Sequence, residues 1–171
     1  KIVLTGLWSE TCVALPTNQP IHPPRNTGDK MRKANLEQPF HAMYNYAYIT
    51  DAQEGLILTD INTLADGDPR NNYLKRALTW NPNGALNGAR HIAVGGYYLY
   101  IATNRGLAIV SVDVPLEPKL VAEVPLNDVR ASALQFRYLW VTDAEGLKLF
   151  DVTRLDQPVA VPSATLAFPD A

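Results

Sequence analysis

The chain is expected to fold as an all-β protein, a partial β-propeller of about three four-stranded blades with one leading outer strand. Three observations carry this expectation. First, Tyr46–Ile61, Tyr98–Val112 and Tyr138–Val152 share one pattern: an aromatic-flanked strand, a polar turn, a Gly-Leu pair and a second apolar strand. Second, the turn glycines Gly55, Gly106 and Gly146 stand 51 and 40 residues apart, and an all-strand repeat of about 40 residues is the signature of a propeller blade. Third, the predicted strands are short and alternate or are wholly apolar, as half-buried and fully buried sheets require.

Taken in order, residues 1–7 read as the outer strand of a preceding blade, because Lys1–Leu7 resembles Pro118–Val124, the segment that closes the second repeat. Residues 8–38 form a proline-rich excursion. Pro16, Pro20, Pro23 and Pro24 lack the N–H a sheet ladder needs, so the stretch reads as connection rather than strand, with room for a brief helical turn near residues 30–35. Residues 39–171 hold three blades, at about 40–80, 89–126 and 130–166. In the first, His41–Tyr44 is the expected inner strand, followed by strands at 46–50, 56–61 and 74–80; the insert 62–72 accounts for the longer first period. A helix over 69–78 competes with the last of these strands, because Asp68-Pro69 is a good helix start. The second blade places strands at 90–94, 98–102, 107–112 and 119–124, with Gly95-Gly96 as a tight hairpin in which both glycines accept positive φ. The third places them at 131–135, 138–142, 147–151 and 159–165.

Composition narrows the function. The 171 residues carry a net charge of −2 and a pI near 5.9, which gives no steering toward nucleic acid or an anionic membrane. No apolar run reaches the roughly 18–20 residues that cross a bilayer, and the first residues do not read as a signal peptide. Cys12 is the only cysteine, so no internal disulfide, zinc spacing or haem-attachment motif exists. It reads as a small buried apolar residue or as a partner in a disulfide to another chain or to a further part of this one. No nucleophile elbow, phosphate loop or zinc-protease helix is present, so the chain is read as a non-enzyme.

The motif Tyr-x-Tyr-Ile/Val, then Gly-Leu-x-Ile/Val-x-Asp/Ser-Val, then Pro-x-Leu-Val, resembles the LVIVD repeat, best in Gly106–Val121. That repeat builds β-propellers in secreted and cell-surface proteins. The run Tyr44–Asp51, with Leu74–Leu78 and Asn87–Arg90, is also similar to large extracytoplasmic propellers found beside multihaem c-type cytochromes. The resemblance implies an extracytoplasmic location (periplasmic, cell-surface or secreted). It implies a non-catalytic scaffold or protein-interaction module, part of an electron-transfer assembly, with any haem held by a multihaem cytochrome partner rather than by this chain. An open arc exposes sheet edges that invite pairing, so further blades or a partner chain are expected to close it.

Individual side chains carry competing readings. His41 and His91 on inner strands are channel-mouth ligand candidates or ordinary rim residues. Arg90 and Arg130, eight residues before Tyr98 and Tyr138, hold an anion at that mouth or pair with the repeat acids. Together these four define the alternative function, a small-ligand or metal-binding propeller, or an enzyme, using the channel mouth. His22, held extended by Pro23 and Pro24, is the candidate for ligation in trans. Trp8 and Trp80 fall outside the aromatic pattern and are interface candidates. Asp51, Glu54, Asp143 and Glu145 either bind calcium or shape their turns, and turn chemistry accounts for the spacing.

Overall fold

A computed structural model describes residues 12–14, 42–61 and 69–168, the first of these by backbone alone. Its strands are β1 (Cys12–Ala14), β2 (Tyr46–Asp51), β3 (Gly55–Asp60), β4 (Lys75–Trp80), β5 (His91–Gly95), β6 (Tyr98–Thr103), β7 (Gly106–Ser111), β8 (Lys119–Pro125), β9 (Ala131–Gln135), β10 (Tyr138–Asp143), β11 (Gly146–Asp151), β12 (Val159–Ala160) and β13 (Leu166–Ala167). They form three antiparallel sheets ordered β1-β2-β3-β4, β5-β6-β7-β8 and β9-β10-β11-β12, with β13 also on β11. The inner strands approach one another, β1 beside β5 and β5 beside β9. Three meandering sheets with neighbouring inner strands make a partial β-propeller.

The cores lie between blades, not within them. In β6, Leu99 and Ile101 face blade one, while Tyr100 and Ala102, one residue out of phase, face blade three. The first core joins Tyr48, Leu56 and Leu58 of blade one to Leu99, Ile101, Ala108 and Val110 of blade two. The second joins Tyr100, Ala102, Leu107 and Ile109 of blade two to Leu139, Val141 and Phe150 of blade three. A blade covered on both faces must be apolar at every position, which explains the unbroken run of β7.

The same backbone bonds recur in each blade. Ile61, Val112 and Val152, just past the third strands, donate N–H to the carbonyls of Asn45, Tyr97 and Arg137. The outer strand also breaks register at one place in blades one and two, between Leu58 and Thr59 and between Ile109 and Val110. In blade three the break widens. Pro162 opens a 3₁₀ turn at Pro162–Ala164 that splits the expected 159–165 strand into β12 and β13, because proline has no N–H to continue the ladder.

Two expectations for blade one are corrected. Ala42–Asn45 is a 3₁₀ turn, not the inner strand expected at His41–Tyr44, and Met43 at its centre is buried as a core residue. The inner strand is instead β1, which pairs with β2 as Cys12↔Thr50, Val13↔Ile49 and Ala14↔Tyr48. A strand therefore lies inside the 8–38 segment, and the prolines from Pro16 to Pro24 fall between the first and second strands of one sheet. The rival helix over 69–78 gives way to a short 3₁₀ turn at Pro69–Asn71 and to β4. In the Gly95-Gly96 hairpin only Gly96 has positive φ, at 57°, since the two-residue turn is Gly96-Tyr97 and Gly95 still belongs to β5. The expected strand at Lys1–Leu7, the turn near 30–35, and Trp8, His22 and His41 lie outside the described residues.

Candidate functional site

One mouth of the arc collects the loops that enter each inner strand and the turns that join second to third strands. The backbone locks these together. Asn104 N–H donates to the Asn87 carbonyl, Ala144 N–H to that of Asn127, and Arg90 and Arg130 N–H to those of Ala102 and Thr142.

The turns are built by their acids. Asp51 Oδ1 accepts the N–H of Gln53 at 2.9 Å and of Glu54 at 2.8 Å. Asp143 Oδ1 does the same for Glu145 at 2.9 Å and Gly146 at 3.2 Å. Thr103 substitutes in blade two, accepting the Arg105 N–H at 3.2 Å. Asp143 is buried, and its second oxygen lies 2.6 Å from Lys148 Nζ. Partial burial pulls Lys148 down, but its hydrogen bonds to Asp143 and Glu145 outweigh that and hold the ammonium above its ordinary value. Arg76 pairs with Glu54 across the first turn. Among the described residues no group of three or more His, Cys, Asp and Glu side chains is placed to hold a metal ion.

Backbone N–H groups of Glu54 and then Gln53 hold the Asp51 carboxylate below its ordinary range. The folded state thus takes up this proton less readily than the unfolded chain. The stability Asp51 contributes is complete above the ordinary carboxylate range and is lost as pH falls through the lower folded value. Asp51→Ala is therefore expected to flatten the fall in melting temperature between about pH 5 and pH 3. A fall as steep as in the wild type would show that Asp51 is not linked to folding.

Arg90 and Arg130 come together on one acid, Asp128. Arg90 donates through Nε to the Val129 carbonyl at 2.8 Å, through Nη1 to Asn104 Oδ1 at 3.1 Å and through Nη2 to Asp128 Oδ1 at 3.1 Å. Arg130 Nε donates to Asp128 Oδ2 at 3.1 Å. A planar guanidinium fits this role because its donors fan toward a carbonyl and a carboxylate at once. Arg90 thereby ties blade two to the entry loop of blade three. Asp128 adopts φ 53°, a conformation that Asp tolerates better than most residues. Sequence reasoning passed it over because its role depends on Arg90, 38 residues away.

His91 also reaches blade three. Its Nε2–H donates to the Ser132 carbonyl at 2.8 Å, the tautomer being set by that acceptor. Trp80 is half-buried and packs against the core between blades one and two. Of the candidates that lie among the described residues, Arg90 and Arg130 share a site, His91 sits on the same blade junction, and Trp80 stands apart.

Three sheets meeting face to face, with each junction repeated in register, define a repeat β-propeller module. Residues 42–69 and 88–124 match the LVIVD repeat family model. The third hairpin lies outside the matched residues yet repeats their turn and backbone bonds. No curated protein and no solved structure matches the chain.

Proposed function

We infer that the protein is a non-catalytic, extracytoplasmic scaffold whose blade-three face docks a further blade or a partner chain. One observation carries this reading. Tyr48 and Tyr100 occupy the same position in successive blades, and each is fully shielded from solvent by the next blade, together with Leu56 and Leu58 or Leu107 and Ile109. Blade three repeats the set as Trp140, Leu147 and Leu149, but Trp140 and Leu147 are only half-buried. Beside them Leu166 and Phe168 are each 52% exposed. A contiguous apolar face of this kind suits an interaction surface, and the preceding junctions, each covered by the apolar back of the next sheet, support a cover of the same chemistry. The family resemblance makes a multihaem cytochrome assembly the setting in which such a scaffold would serve. Extracytoplasmic placement rests on that same resemblance.

The test is Trp140→Lys in the full chain, with the assembly isolated from the cells that make it and weighed by native mass spectrometry. The expected result is loss of the bound partner while the melting temperature stays within a few degrees of the wild type, because Trp140 lies outside both cores. Retention of the partner, or a wild-type chain isolated alone at 18.9 kDa, would overturn the reading.

A further inference from the structure

The mouth holds a 520 Å³ pocket between blades one and two, lined by Ala52, Gln53, Asn87, Gly88, Arg90 and Asn104. Its volume falls within the range of small-molecule sites. Its polarity follows from how the amides are already committed. Asn87 Oδ1 accepts from Asn81 Nδ2 at 2.8 Å, and Asn104 Oδ1 accepts from Arg90 Nη1 at 3.1 Å. Each amide oxygen is thus already engaged once, and each Asn has its Nδ2 donors to offer. With the guanidinium, which has no acceptor and also donates through Nη1 to the Gly88 carbonyl at 3.4 Å, these three side chains offer a ligand mainly N–H groups.

The neighbouring junction shows what such a lining holds. There Asp128 puts a carboxylate between Arg90 and Arg130. The matching position at the pocket is Gly88, two residues before Arg90 as Asp128 is two before Arg130. A Cβ on Gly88 would fall 2.1 Å from Asn104 Oδ1, so a side chain here would push the Asn104 amide aside, and glycine leaves this point without a carboxylate. Charge agrees: two guanidiniums share one carboxylate, which leaves the cluster with a single net positive charge.

We propose that this pocket binds a small organic carboxylate, held by Nδ2 of Asn87, Nδ2 of Asn104 and the guanidinium of Arg90. One net positive charge with neutral amide donors matches a monoanion better than a phosphate dianion, which calls for more cationic partners.

The test titrates the full chain with sodium acetate, then with inorganic phosphate and with sodium chloride, following side-chain amide resonances by NMR. The expected result is a saturating shift of the Asn87 and Asn104 amide signals with acetate, a dissociation constant on the order of millimolar, and weaker effects from phosphate and chloride. Asn104→Asp keeps the oxygen that Arg90 needs but replaces the donor with a second anionic oxygen, so acetate binding is expected to weaken by roughly tenfold or more. If that variant does not fold, Asn87→Asp replaces it on the same logic, since its oxygen still accepts from Asn81. No saturating shift, an equal response to chloride, or unchanged acetate affinity in the folded variant would overturn the proposal.

Discussion

Replacing Tyr100 with alanine is expected to cost about 3–5 kcal/mol of folding stability, the range for truncating a buried aromatic side chain. Tyr100 is fully buried in the core between blades two and three. Its hydroxyl donates to the Leu155 carbonyl at 2.9 Å, so the ring fills the junction and its tip fastens the far loop. Tyr100→Phe keeps the ring and removes only the hydrogen bond, and should cost about 1 kcal/mol. Chemical denaturation of both variants separates the two contributions. Equal losses would mean that the ring does not pack as described. The phenol also links the junction to pH. Burial, then the nearby Tyr98 and Asp156, push its pKa up to about 12. The folded state keeps this proton where the unfolded chain has released it. Its contribution is full below the ordinary tyrosine range and is lost as pH rises toward the folded value. Tyr100→Phe should therefore blunt the alkaline loss of stability.

The second large effect is expected from Gly106→Ala. Gly106 has φ 128°, a region that residues with a Cβ scarcely enter. A Cβ there would lie 2.2 Å from the Val124 carbonyl oxygen and 2.5 Å from the Leu126 nitrogen. Both are backbone atoms, at the end of β8 and just past it, so no rotamer change relieves the clash. A loss of about 3 kcal/mol or more is expected, from strain and overpacking together. Gly96→Ala is the control: its φ is 57° and its added methyl would meet only the Leu155 Cδ1 atom at 3.0 Å, so about 1 kcal/mol is expected. Phe136 already occupies the matching hairpin position at φ 53°, which shows that a side chain is tolerated there. If Gly106→Ala unfolds no more readily than Gly96→Ala, the turn geometry is wrong.

These two sites also mark what the sequence makes legible. Gly106 and its counterparts Gly55 and Gly146 stand out because a turn that demands positive φ leaves glycine at a fixed spacing from the aromatics. Most strands of blades two and three could be placed to within a residue for that reason. Blade one resisted at its inner edge. Cys12-Val13-Ala14 is too short to show alternation and sits beside prolines, while the segment before Tyr46 imitates a strand by position alone. At the mouth, Arg90 and Arg130 were visible through their shared offset from the aromatics. Asp128, Asn87 and Asn104 were not, because each acquires its role from a residue on another strand or another blade.

The central claim, that the blade-three face is a docking surface, is tested most directly by hydroxyl-radical footprinting of the native assembly beside the isolated chain. Phe136, 91% exposed on a hairpin tip, serves as the internal reference. The account predicts that Trp140 and Leu147 react in the isolated chain and are protected in the assembly, while Phe136 stays reactive in both. Trp140 reacting equally in the two samples would contradict it.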